Sequence, residues 1–106
     1  MVKILKDEKS GDLFNWGLER LLTLDVNGKE IFVYIGGKDL RDELDNLAEQ
    51  GYQVFKVNDI RVLDLPKGYG IWITDKKVLW ITDNISRDDV KAVVEFFIEN
   101  KDNLLD

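Results

Sequence analysis

Apolar and polar positions along this chain switch between periods of two and of three to four residues, and the switches mark its elements. Leu22, Leu24 and Val26 alternate with Thr23 and Asp25, run into Asn27-Gly28, and are followed by Lys29-Glu30 and the apolar run Ile31 to Ile35. Asn-Gly accepts the two positive φ angles of a type I′ turn, whose twist matches that of paired strands, so the segment predicts a β-hairpin. Upstream, Phe14, Leu18 and Leu21 fall on one helical face, which predicts a helix over Asp12 to Leu21. Gly17 inside it costs about 1 kcal/mol relative to alanine. Beyond the hairpin, Leu40, Leu44, Leu47 and Ala48 form the apolar stripe of a helix from Asp39 to Gln50, stopped by Gly51.

Strand-like stretches follow at Tyr52 to Val57 and Ile60 to Leu65, with Asn58-Asp59 between them. Trp72-Ile73-Thr74-Asp75 then returns as Trp80-Ile81-Thr82-Asp83, and a turn at Asp75-Lys76-Lys77 pairs the copies into a hairpin from Gly70 to Thr82. Ser86-Arg87-Asp88-Asp89 has the form of a helix cap, with acids where the helix dipole favours them. The helix it opens buries Val90, Val93, Val94, Phe97 and Ile98 and reaches Asn100, leaving Lys101 to Asp106 as a fraying tail.

Helices and hairpins in this order, with few long crossovers, predict an α+β fold. The expected form is a two-layer sandwich of a mainly antiparallel sheet with helices packed on one face. The strand-helix-strand unit Lys29 to Val57 makes the sheet mixed if its strands pair in parallel. The 106 residues read as a single globular domain, residues 1–106, without linker, repeat array or low-complexity stretch.

Composition removes whole classes of chemistry. There is no cysteine and no histidine, so disulfides, thiolate nucleophiles, sulfur-bound zinc and a histidine general base are out of reach. Any metal would be hard and bound through oxygen, and nothing in the sequence calls for a cofactor. The apolar run Ile31 to Ile35 is far short of the roughly 20 residues that span a bilayer. Charges at Lys3, Lys6, Asp7 and Glu8 stand where a signal peptide needs apolar residues. The expectation is a soluble, cytoplasmic protein without membrane contact. Net charge is −6, which opposes nucleic-acid binding over the surface as a whole. A charged fraction of 34% with only two serines, three threonines and two glutamines has a thermophile-like balance, but seven asparagines and twice as many aspartates as glutamates pull the other way.

Four constellations carry candidate chemistry. Asp83, Asp88 and Asp89 sit where a strand hands over to a helix and are the candidate magnesium ligands, for phosphoester chemistry that needs neither His nor Cys. The plainer reading is a capped helix. Asp25, Lys29 and Glu30 flank a tight turn, where charges are ordinary. Gly36-Gly37-Lys38 holds only the position of a phosphate loop, because Asp39 stands where a hydroxyl is required. Lys67-Gly68-Tyr69-Gly70 is a small loop with an aromatic ring, and equally a plain turn.

The Gly70 to Thr82 hairpin is the more informative feature. A three-residue turn sets Trp72 opposite Trp80, with Thr74 and Val78 beside them and Ile71, Ile73, Leu79 and Ile81 on the other face. Trp72, Trp80, Tyr69 and Val78 are therefore the candidate interface residues, unless Trp16 and Phe14 of the first helix cover them as a second core layer. The sequence does not name a function. It favours a non-enzymatic interaction module that binds a protein partner, or a second copy of itself, through the aromatic sheet face. The alternatives are a magnesium-dependent phosphoester-processing enzyme and an acidic inhibitor of a nucleic-acid-binding protein.

Overall fold

The computed structural model describes residues 1–9 and 11–105; the Phe14 side chain and Asp106 lie outside that description. In chain order the elements are β1 (Val2–Glu8), α1 (Gly11–Phe14), β2 (Leu18–Val26), β3 (Lys29–Gly36), α2 (Lys38–Glu49), β4 (Val54–Val57), β5 (Ile60–Leu65), β6 (Gly68–Ile71), β7 (Val78–Ile81), α3 (Arg87–Glu99) and α4 (Lys101–Leu104). The fold is α+β. Its seven strands form one sheet in the order β1-β2-β3-β7-β6-β5-β4, and every neighbouring pair is antiparallel.

Turn chemistry builds two meanders. Asn27 and Gly28, at φ 53° and 89°, make the expected reversal between β2 and β3. Asn58 and Asp59, at φ 50° and 66°, do the same between β4 and β5. The meander β1-β2-β3 and the meander β4-β5-β6-β7 are then joined along β3 and β7. Because α2 carries the chain from β3 to the far edge of the sheet, β4 never meets β3, and no parallel pair arises from Lys29 to Val57.

Helices lie on both faces of the sheet. Val90, Val93, Val94 and Phe97 of α3 pack with Leu104 and Leu105 on a face made by Leu22, Leu24, Val33, Ile35, Leu79 and Ile81. Leu40 and Leu44 of α2 pack on the other, with Leu18, Leu63, Trp72 and Val78. Neighbouring residues such as Val78 and Leu79 serve opposite clusters, as strand alternation requires. The layering therefore differs from the expected single helical layer. The reason is a pair of missing side chains: a Cβ on Gly36 would lie 2.7 Å from Leu40 Cβ, and one on Gly70 would lie 2.5 Å from Leu44 Cδ2. Glycine at both points lets α2 rest close on the sheet; a side chain at Gly36 would meet the root of Leu40, and one at Gly70 would push the end of Leu44 aside.

The N-terminal third departs most from expectation. A helix over Asp12 to Leu21 does not form; α1 has four residues, and Leu18 to Val26 is a nine-residue strand. Gly17, at φ 74°, turns the chain between them. Pairing with strands on both sides and full burial of Leu22, Leu24 and Val26 outweigh the helical spacing of Phe14, Leu18 and Leu21. Val2 to Glu8, which the pattern left unassigned, is an edge strand with an irregularity between Ile4 and Lys6 that breaks its period of two. The end of the chain does not fray as expected through Leu105: α4 buries Leu104 and Leu105, and the expectation for Asp106 lies outside the described residues. Among the described residues, no helix is long and apolar enough to cross a membrane.

Candidate functional site

One row of residues runs across the sheet from β2 to β5 on the α2 side: Leu21 opposes Tyr34, Tyr34 opposes Trp80, Trp80 opposes Gly70, and Gly70 opposes Leu63. Leu44 covers the row at Gly70, so α2 shields its β5-β6 half. Tyr34 and Trp80 emerge from under the helix. Their ring centroids are 5.5 Å apart with planes tilted by 35°, and Trp80 keeps 37% of its surface exposed. Phe32, two residues before Tyr34 and hence on the same face, is 39% exposed.

The loop ahead of β2 turns these rings into one side of a cleft. Trp16 N donates to Leu13 O at 3.0 Å, and the left-handed Gly17 brings the loop against the first turn of α2 beside Asp39. The resulting cavity has a volume of about 550 Å³. Leu13 and Trp16 close it on the loop side, Tyr34 and Trp80 line the sheet side, and Asp39, Leu40 and Glu43 form the helix side. Trp16 is 80% exposed, an unusual state for so large a ring.

Asp39 and Glu43 complete the wall with charge. They are four residues apart on α2, where two like charges destabilise a helix by about 0.2–0.5 kcal/mol. Neither forms a hydrogen bond or an ion pair among the described residues, whereas Lys38 and Asp42 beside them pair at 2.8 Å. Asp39 is in the first turn, where the helix dipole favours its anion. The cleft is thus apolar and aromatic inside and negatively charged along one lip.

The residues singled out from sequence divide. Trp80 lines the cleft. Trp72 does not oppose it, because the register sets Gly70 against Trp80 and Ile71 against Leu79. Trp72 stays on the same face but lies under α2, 7% exposed, with Nε1 donating to Asp45 Oδ1 at 2.9 Å and the Arg61 guanidinium 4.3 Å from its ring centroid. Val78 is fully buried beside it. Tyr69 points to the α3 side, where its hydroxyl donates to Ile85 O at 2.8 Å and burial raises its pKa. Trp16 does not cover the tryptophan face as a core layer, and the Phe14 side chain lies outside the described residues.

Of the three aspartates nominated for a metal, two serve separate partners and the third is exposed. Asp83 Oδ2 accepts from Phe32 N at 3.1 Å. Asp88 is exposed in the first turn of α3. Asp89 is buried, accepts from Lys29 Nζ at 3.1 Å and Asn27 Nδ2 at 3.5 Å, and receives the Ser86 cap on its own N–H. The Lys29 ammonium holds the Asp89 carboxyl below the usual carboxylate range, against the opposing effect of burial. Among the described residues, no three His, Cys, Asp or Glu side chains converge in a way that could hold a metal ion.

Sequence reasoning missed Trp16, Phe32, Tyr34, Asp39 and Glu43. The alternation of Phe32 and Tyr34 against Ile31, Val33 and Ile35 was the available signal for two of them. No protein-family model, curated protein or solved structure matches this chain. The cleft's own chemistry therefore carries the functional reading.

Proposed function

We propose that this chain is a non-enzymatic interaction module that receives a basic segment of a partner protein on the aromatic cleft. The observation that carries this reading is the exposure of Trp16 and Trp80 around one cavity. Monomeric proteins seldom leave contiguous aromatic surface open, and tryptophan and tyrosine are enriched at binding hot spots. Charge decides the class of partner. Asp39 and Glu43 on the lip, and a net charge of −6, attract a basic segment and repel a second copy of the same chain. A nucleic-acid-binding protein with a basic groove belongs to that partner class. With Asp83 and Asp89 bonded to different neighbours and no three carboxylates converging among the described residues, phosphoester chemistry has no assembled ligand set to rest on.

Fluorescence anisotropy with a labelled lysine-rich peptide, run beside sedimentation equilibrium of the protein alone, tests the reading. The expected result is a monomer that binds the peptide, more weakly as salt rises, and loses it in the Trp16→Ala, Trp80→Ala double variant. Equal binding by that variant, or a dimer dissolved by the same substitutions, overturns the partner assignment.

A further inference from the structure

We infer that the cleft is a receptor for a single lysine side chain of the partner, its alkylammonium group seated among Trp16, Tyr34 and Trp80 and balanced by Asp39 and Glu43. The inference rests on the interaction-module reading and names the group that the module selects.

Three aromatic rings and two carboxylates around one cavity are the chemistry of cation capture. The face of an indole or phenol ring carries negative electrostatic potential, so an ammonium within about 6 Å of a ring centroid is attracted to it, and tryptophan is the strongest of the aromatic partners. The cleft offers two tryptophans and a tyrosine. The same walls accept the methylene stem of a lysine, whose apolar length buries readily while its head keeps polar company. Asp39 and Glu43 supply that company. Neither accepts a hydrogen bond or forms an ion pair among the described residues, although Asp39 also acts on the neighbouring Lys38 ammonium through space, and both line the cavity even though their spacing along the helix sets like charges side by side.

Shape favours ammonium over guanidinium. The Tyr34 and Trp80 planes are tilted by 35°, so a flat guanidinium cannot lie against both rings. A compact ammonium needs no common plane. The two carboxylates come from separate residues a helical turn apart, which suits a point charge between them better than the bidentate fork that arginine forms with one carboxylate. Elsewhere in the molecule, where arginine does meet a ring, it sits over one face alone, as Arg61 over Trp72 at 4.3 Å and Arg87 over Phe55 at 4.0 Å.

The three indole N–H signals in a nitrogen–proton correlation spectrum provide the test, because Trp16 and Trp80 line the cleft while Trp72 is buried with its N–H on Asp45. The titrants are three short glycine-flanked peptides that differ in one central residue: lysine, arginine, or norleucine, which keeps the aliphatic stem and lacks the charge. Lysine peptide is expected to shift the Trp16 and Trp80 signals and leave Trp72 in place, binding about tenfold more tightly than the norleucine peptide. Asp39→Asn with Glu43→Gln is expected to bring lysine down to the norleucine level, with the unmoved Trp72 signal reporting an intact fold. Norleucine binding as well as lysine overturns the cation assignment while leaving an apolar interaction cleft. Arginine binding more tightly than lysine overturns the choice of ammonium. No shift with any peptide overturns both this inference and the reading beneath it.

Discussion

The position of α2 on the sheet shapes the cleft, and it depends on two absent side chains. A methyl group at Gly70 would lie 2.5 Å from Leu44 Cδ2, 3.0 Å from Cδ1 and 3.3 Å from Cγ. Carbon atoms pack at about 3.5–4.0 Å, so Leu44 must retreat by roughly 1 Å. Leu44 is only 1% exposed, so its retreat disturbs the core packed around it. Gly70→Ala should therefore cost about 1–3 kcal/mol, the range for overpacking a filled core, out of a total near 5–15 kcal/mol for a domain of this size. Leu44→Ala alone should cost about 2–5 kcal/mol through the cavity it leaves. In the double variant the added methyl enters that cavity, so Gly70→Ala becomes nearly neutral and the two substitutions couple by about 1–3 kcal/mol. Gly36 behaves differently, because its nearest neighbour is Leu40 Cβ at 2.7 Å, an atom that alanine retains. Leu40→Ala should not rescue Gly36→Ala. Urea denaturation followed by tryptophan fluorescence and far-ultraviolet circular dichroism yields both cycles. A coupling below about 0.5 kcal/mol between positions 70 and 44, the level of independent sites, would refute the claim that α2 rests on Gly70.

Two further predictions concern the charged groups that tie the elements together. Asp89→Asn should cost about 1.5–3 kcal/mol at neutral pH, the worth of hydrogen bonds to a buried charge. Because Lys29 depresses the Asp89 pKa in the folded state, that contribution is complete above the unfolded carboxylate pKa of about 3.9 and is lost as the pH falls through the lower folded value. Stability curves of the wild type and the variant should thus run parallel at neutral pH and converge in acid; a constant gap down to the lowest pH contradicts this. Arg20 donates to both Asp7 oxygens, at 2.8 and 2.5 Å, and to the carbonyls of Asn103 and Leu104 at 3.1 and 3.2 Å. Arg20→Ala should destabilise the protein by about 2 kcal/mol and speed hydrogen exchange at Asn103 to Leu105 while leaving β4 and β5 unchanged. Unaltered exchange in α4 contradicts the tether.

How much of this was legible in the sequence follows from the range of the interactions involved. Asn27-Gly28, the stripe of Leu40, Leu44 and Leu47, and the Ser86 cap act within a few residues, and the hairpin and both long helices follow from them. The N-terminal strands were hidden because their stability comes from pairing at a distance. Leu18 to Val26 gains partners on both sides, which the spacing of Phe14, Leu18 and Leu21 cannot reveal. Gly36 and Gly70 look like loop residues until a helix is set on them, so the face that α2 takes is a tertiary property. The tryptophan hairpin was placed on the right face in the wrong register. Setting Trp80 against Gly70 instead of Trp72 sends one indole under α2 and leaves the other in the cleft. Trp16 became a cleft residue only because Gly17 turns its loop back onto α2.

Charge reversal at the lip of the cleft tests the central claim most directly. Asp39→Lys with Glu43→Lys leaves Trp16, Tyr34 and Trp80 in place and reverses the sign of the wall, at a cost of about 0.3–1 kcal/mol for a cation in the first turn of α2. Measured by fluorescence anisotropy against a lysine-rich and a glutamate-rich peptide, the wild type should prefer the basic peptide and the reversed protein the acidic one, each by about tenfold or more at low salt. A reversed protein that still prefers the basic peptide would contradict the account.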